Sequence, residues 1–175
     1  MKTVSALLAA ALCSAATGAA AQQPQPPAFS SAAPTLEFAF QELVTLGASI
    51  TPGKTGRGGR NIIPITGGTF EGPGIKGTIL PGGWDWQLQR ADGCGEVEAD
   101  YFLKTDDGVV INILNKGVIC PPAAGQPFVV RTHPVFEAPI GEYDWRGKSA
   151  FIGTLEPSKA PDGTPAVKIR IYRVR

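Results

Sequence analysis

The sequence predicts an all-β single domain, an antiparallel β-barrel or sandwich of about eight or nine strands joined by hairpins. Three observations carry the prediction. Apolar and polar residues alternate with period two in run after run. Asp-Gly pairs and Gly/Pro clusters punctuate those runs where hairpin turns would fall. With 22 Gly and 16 Pro in 175 residues, long helices have little room to form.

The chain opens MKTVSALLAAALCSAATGAAAQQ. Lys2, the Leu/Ala run from Val4 and the small residues Ala19-Ala20-Ala21 predict a secretory signal peptide, residues 1–21, cleaved after Ala21. The run is too short to span a bilayer as a helix. Leu12 before Cys13 is too large for a lipid-attachment motif. Residues 22–35 form a Pro-, Gln- and Ala-rich tether with little to pack, predicted to be disordered or extended. The barrel domain then covers 36–175.

Within it, Leu36, Phe38 and Phe40 alternate with Glu37, Ala39 and Gln41, and Gln41 to Leu46 is the one weak helix candidate. Asn61–Thr66 and Lys76–Leu80 are short β-branched runs, stopped by Gly67-Gly68 and by Pro81-Gly82-Gly83. Trp84, Trp86 and Leu88 alternate with Asp85, Gln87 and Gln89 before the Asp92-Gly93 turn. Val97, Ala99, Tyr101 and Leu103 alternate with Glu96, Glu98, Asp100 and Lys104, and the next turn ends at Gly108. Val109–Leu114, Phe128–Thr132, Ser149–Leu155 and Val167–Tyr172 complete the strands. A barrel of this size can hold one small ligand inside it.

Removal of the leader takes Lys2 with it and leaves 15 basic against 15 acidic residues. That balance calls for neither nucleic acid nor an anionic membrane, and no second apolar run can span a bilayer. The predicted location is secreted or periplasmic. Two cysteines survive cleavage, Cys94 and Cys120, and in an oxidising compartment they predict one disulfide.

The stretch GPGIKG, Gly72 to Gly77, fits the dinucleotide pattern G-x-G-x-x-G, with Asp92 about 20 residues on. Its context opposes that reading. Pro73 removes an amide that would face phosphate, and TILPGG follows where a helix is needed. The glycines read instead as positive φ and close backbone approach in a bent hairpin.

The longer run GGRNIIPITGGTFEGPGIKGTILPGGWDWQLQRADG resembles the signature of the family called domain of unknown function 3237. That signature is R-x-I-x-P-I-x-G-G-x-F-x-G-P, then G-x-(V/I)-x-P-G-G-x-D-W-Q, then D-G. YFLKTDDGVVINILNKG, RTHPVFEAP, EYDW and the terminal IYRV match further blocks, so the resemblance covers Leu36 to Val174. It implies a compact antiparallel barrel and no established common reaction. Trp84, Asp100 and Arg146-Gly147 depart from the pattern, and the two cysteines and the export signal look like additions.

No group of residues has metal-ligand spacing, and His133 is the one histidine, so no metal and no cofactor are expected. There is no G-x-S-x-G elbow for a serine nucleophile. Carboxylate chemistry remains. Glu71, Asp85 and Glu137 are the candidate acids or bases, because a carboxyl inside an apolar barrel titrates near neutrality. Arg60, Asp107, Arg131, Trp86, Tyr143 and Trp145 are candidates for holding a ligand. Each has a bland alternative. Asp85 points outward if Trp84 and Trp86 point inward, Glu71 can cap a hairpin, Asp107 can be a turn residue, and Arg131 can pair with Glu137.

Three functional readings stay open. One is a cofactor-independent acid–base enzyme, an isomerase, cyclase, lyase or lactone-type hydrolase acting on a small ring-bearing, partly apolar metabolite. Another is a lipocalin-like barrel that binds such a molecule unchanged. The third is a structural or interaction barrel, and homo-oligomerisation is left open.

Overall fold

Residues 32–175 are described by the computed structural model, in which period-two alternation becomes strands. The signal peptide expected over residues 1–21 and the expected tether up to residue 31 lie outside the described residues. The strands are β1 (Leu36–Leu46), β2 (Ile50–Thr55), β3 (Gly58–Gly72), β4 (Ile75–Ile79), β5 (Gly83–Gln89), β6 (Gly95–Thr105), β7 (Val110–Ile119), β8 (Val130–Glu137), β9 (Phe151–Lys159) and β10 (Pro165–Val174), with a 3-10 helix at Asp144–Lys148.

All pairings are antiparallel, in the order β1-β10-β9-β8-β7-β6. β6 pairs with both β4 and β5, two halves of one stave interrupted at Leu80-Pro81-Gly82, and both halves pair with β3. Because β3 also pairs with β1, the sheet closes into an eight-stave barrel. Closure leaves no edge along that circuit for another chain to extend. β2 continues along β3 beyond the end of β1, from Ile50↔Ile62 to Thr55↔Gly58.

GPGIKG is the turn of the β3–β4 hairpin. Gly72 pairs with Ile75 across Pro73-Gly74, and Gly74 has φ +67°. Proline first and a positive-φ glycine second suit a type II turn.

Gly67-Gly68 makes a bulge in β3. Thr45 faces Gly67, but the next residue, Leu46, faces Ile65. The slip exchanges the faces of β3, so that Phe70 and Ile65, five apart, are both buried.

Two sequence expectations change, and one strand is added. Gln41–Leu46 is not helical but the second half of β1, where Phe40, Glu42 and Val44 face inward and ladders to β3 and β10 override local preference. β2, Ile50–Thr55, adds a strand to those expected from sequence. β8 runs on from the predicted end at Thr132 to Glu137.

One end of the barrel is packed shut. Phe136 touches Phe40 and Phe151 edge-on, at ring centroid distances of 5.8 and 4.8 Å, and Phe40 meets Phe70 at 5.9 Å. Leu103, Ile111 and Ile113 fill the space beside them with no exposure. Each such side chain stabilises the fold by about 1.5–3 kcal/mol. At the other end the Cys94–Cys120 disulfide staples the open end of the β6–β7 hairpin, next to its last pair, Gly95↔Ile119.

Candidate functional site

Away from the aromatic end, the inward positions become smaller and more polar. β5 contributes Asp85 and Gln87, β6 Tyr101, β7 Asn115 and β8 Thr132, around a cavity of about 90 Å³. At about 30 Å³ per molecule, that is room for roughly three waters or a small head group. Gln87, Val97 and Ile119 also line a wider mouth of about 470 Å³, rimmed by Arg60, Asn61, Cys120 and Phe128. A ligand with a small reacting end and a larger body would fit this funnel.

Behind the cavity wall lies Glu42, with no exposed surface. Its neighbours in the ladders are Ile169 and Phe70. The Tyr101 hydroxyl donates to Glu42 Oε2 at 2.7 Å, while Oε1 has no partner. Burial pushes the Glu42 carboxyl up to about 7, against the opposing effect of the tyrosine hydrogen bond. Burial, with the charge and hydrogen bond of Glu42, raises the Tyr101 hydroxyl as well, so it stays protonated at neutral pH.

Asp85 forms the second acidic centre. Gln87 Nε2 donates to Asp85 Oδ2 at 2.8 Å, and Asn61 Nδ2 donates to Gln87 Oε1 at 2.9 Å. This string leads from the mouth to the cavity. The β5–β6 ladder holds Asp85↔Ala99 and resumes at Leu88↔Glu96. Between them the Glu98 amide donates to Asp85 Oδ1 at 3.2 Å, so a side chain takes an amide that a regular ladder would use. Burial raises the Asp85 carboxyl, and the donors from Gln87 and Glu98 oppose that rise.

Asn115 Oδ1 and Thr132 Oγ1, on the cavity wall, have no hydrogen-bond partner in the protein. An unsatisfied buried polar atom costs about 1–3 kcal/mol, which a polar guest would recover. Among the described residues, no three His, Cys, Asp or Glu side chains converge as metal ligands do.

Of the acids proposed from sequence, only Asp85 faces the cavity. Trp84 and Trp86 point outward, 38% and 46% exposed, which turns Asp85 in. Glu71 is exposed on the outer side of β3, over a groove it shares with Lys76, and Glu137 is exposed on β8. Trp86 lies in an outer groove with Arg57, Lys116 and His133, and Arg60 reaches both that groove and the mouth. Arg131 is exposed and bonds its neighbour's carbonyl, Val130 O, at 3.1 Å; it does not pair with Glu137. Asp107, Tyr143 and Trp145 sit at the packed end, where the Tyr143 hydroxyl donates to Asp107 at 3.2 Å. Glu42, Tyr101, Asn115 and Thr132 were not selected from sequence. Continuing the Phe38, Phe40 alternation by one step places Glu42 on the apolar face, and that is the signal for it.

The family model described as protein of unknown function (DUF3237) matches residues 34–174. A UPF0311 protein of Rhodopseudomonas palustris (strain TIE-1) is 37% identical over 135 residues, covering 69% of this chain and 88% of that one. The crystal structure of a β-barrel-like protein from Acinetobacter baumannii AYE superposes with a TM-score of 0.72 at 29% identity, over 87% of this chain and all of that one. A structure described as an enzyme from Penicillium herquei superposes with a TM-score of 0.63 at 22% identity, over 85% and 100% of the two chains, a likeness of fold.

Proposed function

The chain belongs to the DUF3237 family of proteins of unknown function, and from that premise we propose that its barrel is a cofactor-independent acid–base enzyme. The substrate is a small, ring-bearing, partly apolar molecule. One observation carries the reading: Asp85 and Tyr101, the latter backed by Glu42, line one cavity that shares Gln87, Val97 and Ile119 with an open mouth.

The two centres divide the work. Asp85 is the base that removes a proton from carbon beside a carbonyl, because burial raises its proton affinity and Gln87 and Glu98 fix its orientation. With Glu42 protonated and donating to the Tyr101 oxygen, the one Tyr101 O–H turns from Glu42 to the substrate oxygen on which charge develops. Glu42, titrating near neutrality, supplies or accepts the proton behind it. The ring body rests in the mouth against Leu88, Val97 and Phe128, with Arg60 at the rim. Isomerisation, ring closure, elimination and lactone opening all draw on such a donor–acceptor pair. Export to the periplasm or exterior belongs to the same proposal, and the disulfide is compatible with it.

A second reading, binding without catalysis, is favoured by the fact that both Asp85 oxygens already accept hydrogen bonds. The two separate by proton exchange. Cyclic ketones and lactones are incubated with the protein in D₂O, and loss of α-proton signals is followed by NMR. Catalysis predicts exchange that falls by about 10²-fold or more in Asp85→Asn and in Tyr101→Phe. Saturable binding without exchange leaves the lipocalin-like reading, and absence of both defeats each.

A further inference from the structure

The packed end of the barrel carries a second cleft, of about 300 Å³, between the start of β1, the end of β10, the β3–β4 turn and the 3-10 helix. Three arginines line it, Arg146, Arg173 and Arg175, with one carboxylate, Glu37. Arg175 bonds that carboxylate, so Glu37 is already engaged. Neither of the other two guanidiniums forms a direct ion pair among the described residues, although Glu37 acts on Arg173 and Glu142 on Arg146 through space.

Both are held in place by aromatic faces. The Arg146 guanidinium carbon lies 5.0 Å from the Tyr143 ring centroid and 4.5 Å from that of Trp145. The Arg173 guanidinium lies 4.4 Å from Trp145. Arg146 is only 3% exposed, and the Nε atoms of Arg146 and Arg173 are buried with no acceptor. Among the described residues neither forms an ion pair. The nearby Asp107 carboxylate instead accepts from the Tyr143 hydroxyl. Burial lowers the proton affinity of Arg146, yet a guanidinium remains charged at any physiological pH.

A buried cation with unfilled N–H donors is costly unless something pairs with it. Ring stacking compensates for part of that cost but offers no acceptor to the N–H groups. We propose that this cleft is a binding site for an oxyanion group, a carboxylate, sulfate or phosphate, held by the Arg146 and Arg173 guanidiniums. The planar fork of N–H donors suits such an anion. Phe38 and Pro73 on the cleft wall give an apolar body attached to the anion a place to rest. The site uses none of the groups assigned to acid–base chemistry, so it stands whether or not that reading does.

The indole N–H signals of Trp84, Trp86 and Trp145 test it. The Trp145 signal is identified by its loss in Trp145→Phe, and ¹⁵N-labelled protein is titrated with sodium benzoate, phosphate and sulfate at constant ionic strength. The expected result is a saturable shift of the Trp145 signal with at least one anion, while the other two indoles stay still. A stronger response to benzoate assigns a carboxylate, and a stronger response to phosphate or sulfate assigns a tetrahedral anion. Arg146→Leu should weaken binding at least tenfold while leaving the unfolding temperature unchanged or higher, because a purely structural arginine would do the reverse. Should Arg146→Leu fail to fold, Arg173→Leu carries the same binding test. No saturable shift with any of the three anions, or one that persists undiminished in the arginine variants, overturns the proposal.

Discussion

The Tyr101 hydroxyl donates to Glu42 Oε2 at 2.7 Å, joining β6 to β1 across the barrel between residues 59 apart in the chain. The carboxyl it reaches titrates at about 7 against an ordinary 4.5. Folded Glu42 therefore keeps its proton where the unfolded chain has lost it, and stability falls as pH rises from about 4.5 to about 7, then levels. At 1.36 kcal/mol per pKa unit, the loss is about 3 kcal/mol. Glu42→Gln, which mimics the protonated acid, should remove that fall. In urea unfolding, its advantage over wild type should be small at pH 5 and grow to about 3 kcal/mol at pH 8. Asp85 has a shift of the same sign, but it is present in both proteins and cancels. An advantage that does not change with pH would sink the assignment.

Tyr101→Phe should be read together with that variant. At pH 8 the ionised Glu42 loses its one donor, at a cost of about 2–3 kcal/mol. In the Glu42→Gln background the same change should cost about 1 kcal/mol, since a neutral hydrogen bond is worth less. Equal costs in the two backgrounds, measured as a double-mutant cycle, would mean that the pair is not coupled.

The residues that built this site differ in how far alternation alone could place them. Asp85 was visible as a candidate, but its direction depended on Trp84 and Trp86. Alternation alone leaves either face of β5 free to turn inward; the two indoles lie outside, and Asp85, Gln87 and Asn61 satisfy one another in a string. Glu42 was hidden by the helix candidate laid over Gln41–Leu46. Its burial follows from ladders to β3 and β10, partners far away in sequence. Tyr101 was read on the apolar face of β6, and only the fold shows that its hydroxyl meets an acid. Repeated hairpins alone narrow the fold to a barrel or a sandwich, and the resemblance to the family is what selects the closed barrel. The reversal of faces at Gly67-Gly68 was not legible, because neither glycine carries a side chain to mark the step at which the alternation breaks.

Reduction of the Cys94–Cys120 disulfide should destabilise the barrel. The bond closes a loop with a sequence separation of 26, for which the loss of unfolded-state entropy corresponds to about 3 kcal/mol. In a domain of this size that is a fall of about 10 °C in unfolding temperature. Calorimetry of the oxidised protein against Cys94→Ser/Cys120→Ser measures it. Because Cys120 lines the mouth, ligands of the barrel should also bind more weakly to the double serine variant. An unchanged unfolding temperature would show that β6–β7 pairing alone already fixes the hairpin.

Two glycines of the same hairpin should respond differently to alanine. Gly68 has φ +137°, and a Cβ there would stand 2.1 Å from the Leu43 carbonyl oxygen on β1. That atom is backbone within the closing β1–β3 ladder, so it cannot move aside without opening the barrel. Gly68→Ala should cost more than about 3 kcal/mol, combining conformational strain with overpacking. Gly74 also has a positive φ, +67°, but nothing lies within 4 Å of its Cβ position. Gly74→Ala meets only the left-handed penalty of about 1–2 kcal/mol, and Gly74→Asn should meet less of it, since asparagine visits that region more readily. Urea midpoints of the three variants should therefore rank Gly74→Asn above Gly74→Ala, and both well above Gly68→Ala. If Gly68→Ala proves as stable as Gly74→Ala, the bulge tolerates a side chain and the tight β1–β3 contact does not limit closure.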